Sequence, residues 1–563
     1  MTSTSKEGAG RPLYSSVPLS PAQGADNLPP RALPAPKSAW RPGRGYLPAA
    51  AAMYLLAYFY TRYLLFANAE TCRWSIPAFA VLYLAWGTLF ARAQKRLAAP
   101  ESRFWAVCWL AQSLAFAVYG LRPAAGLQLL QLLAWHATAV YWTMARTGML
   151  AAGRSGIWTP LDLLMGVTAL PWRDFLLRIR TVFHGIAAGL RKAGGAGRKK
   201  MLGGVFSVVA AVAVCLIAWG QLAGVDATFA ALADRALGWL DLSRIDIDTV
   251  IYGILSLPVG AWLFGLAGGG LRRTSPPVPA ARLQRALAAA PRLPVSAGYL
   301  VPGALCAVYT LFFGLQAAEF AAALGQGTLT AQAASDFAVT GFWELCRILL
   351  LDFAVVAVLE LFAGPLRTPG RRRLLLTVFG GFSLAFALLA AAKLGAYILL
   401  YGPTPLRMLS GWFLLVLVAW CVLVLVWLYR PIPAARIGVL ALAGSFAVFC
   451  CLPVEKICVE ENLRRYVSGQ IETVDAQLIN QCENGQGAMQ EYVARRLLDA
   501  GWFTGRTADE ISSLFYIRFD DYRDAELQNG TGWITLSDLP GSVSCLELDF
   551  QNGVCTGAEL RGQ

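Results

Sequence analysis

The chain has 563 residues, of which 57% are apolar and only 15% charged, with a mean hydropathy of +0.52. So little charge cannot cover the surface of several water-facing domains, which excludes an ordinary soluble protein. A formal net charge of +14 raises the question of a nucleic-acid partner, and only the placement of the bases can answer it.

Residues 1–45 hold eight prolines and six bases against two acids, Glu7 and Asp26, with few aliphatic side chains. Such a segment cannot offset the entropy of ordering, so a disordered tail is expected. The first apolar run starts near Tyr46 and is too long for a secretory signal, and the prolines oppose the amphipathic helix of a transit peptide.

From Tyr46 to Leu452 apolar runs alternate with short polar connectors. Crossing the hydrocarbon takes roughly 20 apolar residues per helix. Eleven runs qualify: 47–67, 76–92, 104–121, 125–146, 202–222, 248–269, 298–318, 341–363, 374–398, 409–429 and 437–452. Unpaired strand edges are not tolerated in lipid, so these runs predict an all-α integral membrane bundle of about eleven transmembrane helices. With the N-terminus inside, the inner connectors and the tail collect 31 Lys and Arg, and the outer ones only 7. Basic residues are retained on the cytoplasmic side, so the asymmetry predicts a plasma-membrane protein with a cytoplasmic N-terminus and an extracytoplasmic C-terminus.

Within the inner connector after span four, Trp172, Phe175, Leu176, Ile179, Val182, Phe183, Ile186 and Leu190 share a helical face. Arg173, Asp174, Arg178, Thr181 and His184 fall opposite, and a basic stretch follows. This predicts an interfacial helix over 172–190 whose partners are the bilayer and its anionic headgroups. Residues 225–240 repeat the device more weakly outside, with Phe229, Leu232 and Trp239 on one face.

The run 341–363 is the richest in ionisable residues, with Glu344, Arg347, Asp352 and Glu360. Charges at membrane depth are costly, and each is a candidate functional group. Glu344 and Arg347 are one turn apart and can pair, and Lys393 of the next span is expected at similar depth to complete an outer cluster. Asp352 falls near the midplane, with no base expected to reach it. Between spans nine and ten, Tyr401, Gly402, Pro403, Thr404, Pro405 and Arg407 form a tight turn whose arginine can reach headgroups or a carboxylate.

Residues 453–563 carry 9 bases against 18 acids. This water-facing domain is expected to be α+β, with helices over Asn462–Leu478 and Ala488–Ala500 and a hairpin turning at Asn552-Gly553. Its cysteines, Cys458, Cys482, Cys545 and Cys555, suit an oxidising compartment, and at least one disulfide is expected; the turn would set Cys555 opposite Phe550, which disfavours Cys545 to Cys555. With no CxxC motif and only His136 and His184, no metal is expected, and no motif calls for a cofactor.

The order of several short motifs resembles an uncharacterised family of bacterial polytopic membrane proteins, of domain-of-unknown-function 4153/4173 type. The likeness runs over roughly 160–480. It rests on Leu170-Pro171, Gly203-Gly204, Val225 to Phe229, Tyr309 to Phe313, Gly341 to Leu345, the Tyr401 to Arg407 turn and a motif beyond the last span with Asn462, Arg465 and Tyr466. Pro403 stands where the family turn usually has leucine. The resemblance implies a multi-pass membrane protein and supplies no activity. Without a catalytic constellation, the residues lean away from an enzyme and toward a role in envelope sensing or scaffolding, with a protein partner at the C-terminal domain. The alternatives are a transporter or channel using Asp352, and a membrane-embedded lipid-modifying enzyme. Residues 1–452 carry 39 bases against 16 acids, mostly in inner connectors, so the positive charge reads as topology and the nucleic-acid partner falls away.

Overall fold

The computed structural model describes residues 42–192 except 44 and 123, residue 207, and residues 247–326, 342–363, 366, 370–471, 487–515, 527–539 and 542–562. Helices occupy ten of the eleven apolar runs; of the run 202–222 only residue 207 is described, and the 1–41 tail and the 225–240 segment lie outside the described residues. The first group is α1 (Tyr46–Tyr60, prolonged by a π turn over Thr61–Leu65), α2 (Ala69–Ala93), α3 (Ser102–Tyr119) and α4 (Ala125–Thr147). Three short helices follow, α5 (Thr159–Val167), α6 (Ala169–Arg173) and α7 (Leu177–Lys192), then α8 (Ile247–Arg272) and α9 (Ala280–Ala289). The second group is α10 (Ala297–Gln326), α11 (Phe342–Phe362), α12 (Arg371–Tyr401), α13 (Pro405–Tyr429) and α14 (Ala434–Cys450).

Five helices among the described residues are long and apolar enough to cross a membrane, and a sixth span arises if α14 is joined to the helix that follows it. The remaining apolar helices differ for local reasons. α1 stops after 15 residues at the π turn, Gln128, Gln131 and His136 dilute α4, and Arg347, Asp352 and Glu360 charge α11.

The two groups have different interiors. In the first, α1 packs on α8 and α2 on α3, and a chain of rings fills the centre: Tyr83 meets Trp86, Trp109 and Trp142, and Trp109 meets Trp135 with centroids 5.3 Å apart. In the second, α12 is central and touches α10, α11 and α13, around a core of Leu349, Phe379, Phe386, Ala390, Leu394 and Leu417. α14 joins the groups by packing on both α3 and α13.

Arginines gather at opposite ends of these helices. At one end Arg96 donates to the Thr147 carbonyl (3.1 Å), Arg146 to the carbonyls of Thr88 and Arg96 (both 3.3 Å), and Asp174 holds Arg272 (3.2 Å) and Arg273 (2.6 Å). Glu101, at the start of α3, binds Arg436 and accepts from the Ser155 amide (2.7 Å). Arg96 thereby caps the last carbonyl of α4 and also donates to the Arg273 carbonyl just beyond α8, where a helix end carries partial negative charge. Here too Asp162 of α5 accepts from the Ala151 amide (2.8 Å) with one carboxyl oxygen, while the other finds no partner among the described residues; burial pushes this carboxyl up to about 6.

The single helix expected over 172–190 is divided. α6 ends at Arg173 and α7 begins at Leu177, because Asp174 turns inward to its two arginines. Leu177 and Thr181 are buried against the bundle, and Arg178 donates to the Ala50 carbonyl (3.2 Å). Trp172, Leu176, Ile179, Phe183 and Ile186 are exposed, so much of the apolar side faces away from the protein while Asp174 and Thr181 of the polar side pack inward and Arg173 and His184 stay exposed.

Beyond α14 the chain bends by 63° into α15 (Val454–Val467). This helix starts and ends earlier than the expected Asn462–Leu478, and Gly469 follows it at positive φ. α16 (Gly487–Asp499) ends before Gly501, also at positive φ, and α17 (Ala508–Phe515) opens on a capping box in which Thr507 and Glu510 each accept from the other's amide. An antiparallel sheet closes the chain, with β1 (Asn529–Leu539), β2 (Ser542–Gln551) and β3 (Val554–Gly562) in that order. The β2–β3 turn has Asn552 and Gly553 both at positive φ, and Phe550 pairs with Cys555.

The apolar core does not stop at the end of α14. It runs from Ala115, Leu127, Phe446 and Phe449 through Val454, Val459 and Leu463, to Val493, Leu497 and Phe503, and on to Ile534, Leu546, Leu548 and Phe550.

Candidate functional site

Two polar constellations are built into the bundle. One lies at the α14–α15 bend, at the end opposite Asp174 and Glu101. Arg122, 3% exposed, donates through one nitrogen to the carbonyls of Cys450 (2.7 Å) and Leu452 (2.9 Å), through another to Glu455, and stacks 4.3 Å from the Tyr119 ring. The Tyr119 hydroxyl donates to the Cys451 carbonyl (3.0 Å). The connector between α3 and α4 is thereby locked to the last turn of α14.

Beside it, the Tyr401 to Arg407 turn and the Asn462 to Tyr466 motif meet. Asn462, buried on α15, donates to the Pro403 carbonyl (2.9 Å), and Arg465 donates to the carbonyls of Ile398 (3.0 Å) and Leu399 (3.3 Å) at the end of α12. Arg407 donates to the carbonyls of Tyr401 (3.0 Å) and Gly402 and lies 4.2 Å from the Tyr397 ring, while Thr404 caps α13 by accepting from the Arg407 amide (3.4 Å). Gly402 has φ +75°, and a Cβ there would come within 1.9 Å of the Asn462 side-chain oxygen. Only glycine satisfies both constraints. Proline at 403 preserves the contact because Asn462 uses its carbonyl. Glu461 binds Arg464 (2.8 Å) and Arg465 (2.7 Å), and these guanidiniums hold its carboxyl down to about 2. Tyr466 packs 5.9 Å from the Trp502 ring, so the same helix reaches the C-terminal elements. The result is a clasp of four segments far apart in sequence.

The clasp's charges are committed to carbonyls and to each other. One oxygen each of Glu455 and Asn462 is buried without a partner among the described residues. Cys458 is buried in the core beneath α15; Cys545 lies on the outer face of the sheet and Cys555 on its inner face, which separates the last two. All three are free thiols, and Cys482 lies outside the described residues.

The second constellation is at the middle of α11. Asp352, 2% exposed, accepts from the Tyr309 hydroxyl (2.6 Å) on one oxygen and from the Ser383 hydroxyl (2.7 Å) on the other. The partners come from α10 and α12, and among the described residues no basic side chain bonds to the carboxylate. A crevice beside it, lined by Ser383, Gly380, Leu376, Leu366, Cys421 and Leu428, leaves about 10 Å³, room for roughly one water.

The expected outer cluster of Glu344, Arg347 and Lys393 is not assembled. Glu344 and Arg347 are exposed and no ion pair joins them among the described residues, whereas Lys393 is buried. Helical period explains the outcome: 345, 346, 349 and 352 form the buried face of α11, which leaves 344 and 347 outside, while 383, 387, 390 and 394 carry 393 inward on α12.

Residues 104–483 match a family described as a domain of unknown function, DUF4153. The chain belongs to the DUF4153 family. The matched segment begins earlier than roughly 160, at α3, so in this DUF4153 protein it takes in Arg122 and both walls of the clasp. No curated protein and no solved structure matches the chain.

Sequence reasoning missed the Arg122–Glu455 pair, whose members are separated by 333 positions. A signal was available: the alternating topology puts Arg122 and the residues just after the last run at the same end. The partners of Asp352 were not named either, although Tyr309 stands in a motif of the resemblance.

Proposed function

We propose that this DUF4153 protein is a multi-pass plasma-membrane protein of about eleven spans that acts without catalysis, as a sensor or scaffold of the cell envelope, through a C-terminal domain held rigidly outside. The continuous apolar core carries the reading. Burial running without a break from α3, α4 and α14 into the sheet means that a load or ligand on the domain is borne by the bundle and not by a linker. The arginine distribution supports a cytoplasmic placement of the Asp174 and Glu101 end. The exposed apolar face of α6 and α7 suits contact with lipid at that end, and the acidic C-terminal domain suits an envelope protein partner.

The alternatives draw less support. A transport role for Asp352 requires an aqueous route, and the free space beside it is small and largely apolar. A lipid-modifying reaction at the clasp requires an uncommitted carboxylate, whereas Glu455 and Glu461 are held by Arg122, Arg464 and Arg465.

Two measurements test the proposal. In spheroplasts, an added cysteine at exposed Asp509 should react with a membrane-impermeant maleimide, and one at exposed Arg103 only after permeabilisation; the opposite pattern overturns the topology. A chain truncated before 470 should insert and yet reproduce the envelope phenotype of the complete deletion, and wild-type behaviour of that strain would defeat the role of the domain.

A further inference from the structure

Asp352 has an arrangement that serves two protonation states equally well. The Ser383 hydroxyl lies 2.7 Å from one carboxylate oxygen and 3.2 Å from the Phe379 carbonyl, one turn back on α12. With Asp352 ionised, Ser383 donates to that oxygen and Tyr309 donates to the other. With a proton on the oxygen that faces Ser383, Asp352 donates to the serine oxygen and the serine hydroxyl rotates to the Phe379 carbonyl, while Tyr309 is unchanged. One O–H bond forms, the proton comes from water, and no donor or acceptor loses its partner. An ordinary structural carboxylate in a bundle meets a cation or a fixed set of donors, and changing its protonation would leave one group unmatched.

The surroundings favour a proton over a metal ion. Tyr309 and Cys306 face Asp352 from α10, Ser383 from α12 and Cys421 from α13, a set with one carboxylate and no further charged oxygen. Among the described residues no group of acids, histidines and cysteines could hold a metal ion. Along the same helices, Arg347 lies five positions and Glu360 eight positions away, the latter accepting from the Leu366 amide, and Lys393 is ten positions beyond Ser383, about 15 Å along α12. The space beside Asp352 is bounded by Gly380 and Leu376 of α12, by Leu366, and by Cys421 and Leu428 of α13, on the side toward the helix end where α12 begins with Arg371, Arg372 and Arg373. With room for about one water, the space beside the carboxylate can hold a water that exchanges the proton and is too small for a hydrated ion.

We propose that Asp352 is a reversible proton-binding site, with Ser383 as the hydroxyl that switches partner and the small space between α11, α12 and α13 as the seat of a single exchanging water. This assignment is independent of the envelope role of the C-terminal domain.

Infrared spectroscopy of the full-length protein in lipid nanodiscs between pH 4 and pH 10 tests it. A carboxylic-acid carbonyl band, shifted in heavy water, should fade as pH rises and be missing from Asp352→Asn. Tyr309→Phe and Ser383→Ala should each move the midpoint of that band by about one pH unit, since each removes a hydrogen bond that differs in strength between the two states. These two variants assign the band even if Asp352→Asn fails to insert. Glu344→Gln, exposed at the other end of α11, should leave the midpoint in place. A titrating band that none of the Asp352, Tyr309 and Ser383 variants alters, or no titrating band at all, overturns the proposal.

Discussion

The clasp and the Asp352 site handle buried polarity in opposite ways. At the clasp, Arg122, Arg407 and Arg465 are each held by main-chain carbonyls at helix ends, two of them also by a carboxylate, so full charges are retained and immobilised. At Asp352 a single ionisable group meets only hydroxyls that can donate or accept, with free space beside it. The difference follows depth. Near helix ends unsatisfied carbonyls are abundant and water is close, so a guanidinium is readily matched. In the middle of a bundle each carbonyl already accepts within its helix and no free amide is left to donate, so side-chain hydroxyls are the groups that meet a carboxylate. The clasp is therefore a device for joining segments, and the Asp352 site one that can change state.

The contrast can be broken by removing charge from each. Arg122→Ala leaves the half-buried Glu455 without its partner and removes a donor from the Cys450 and Leu452 carbonyls, and should cost about 4 kcal/mol, seen as a lower midpoint for thermal unfolding in detergent. A loss below 1 kcal/mol would mean that the clasp does not join the segments. Gly402→Ala should cost roughly 3 kcal/mol, because strained backbone and a collision with Asn462 add together; Asn462→Ala should recover part of that loss in the double variant and none of the part due to φ. Asp352→Asn, by comparison, should cost only about 1 kcal/mol, since an amide can accept from Tyr309 and remain paired with Ser383.

Titration sharpens the comparison through two carboxyls outside the spans. Glu461 is held down to about 2 by Arg464 and Arg465, so its contribution is full above the usual carboxylate range and is lost as pH falls through about 2. Asp162 behaves in the reverse sense. Burial pushes it up to about 6, the folded state binds its proton more readily than the unfolded chain, and stability should fall as pH rises through about 6. Unfolding midpoints at pH 5 and pH 8 should differ in the wild type and converge in Asp162→Asn. An unchanged pH dependence in that variant would show that another group is responsible.

Much of this was legible from local pattern. Apolar runs located the helices, Asn552-Gly553 set the hairpin and the pairing of Phe550 with Cys555, and Gly501 marked the end of α16. Local pattern failed where an inward polar residue outweighed it. Asp174 splits the predicted 172–190 helix to reach Arg272 and Arg273, about 100 residues later, and no amphipathic periodicity encodes such a partner. Glu344 and Arg347 satisfied the spacing rule for a pair, but the face on which that spacing lies was set by the packing of Leu345, Cys346 and Leu349.

The sequence by itself determined that the chain carries a series of apolar helices of membrane-spanning character followed by an acidic C-terminal segment, and it located the motif turn and Asn462, because composition, run length and turn chemistry are local quantities. The tertiary structure alone decided that turn, motif and Arg122 form one clasp, that the C-terminal elements share a core with α3, α4 and α14, and that Asp352 faces two hydroxyls. Those contacts join residues tens to hundreds of positions apart, and their energies depend on which helices come to lie side by side.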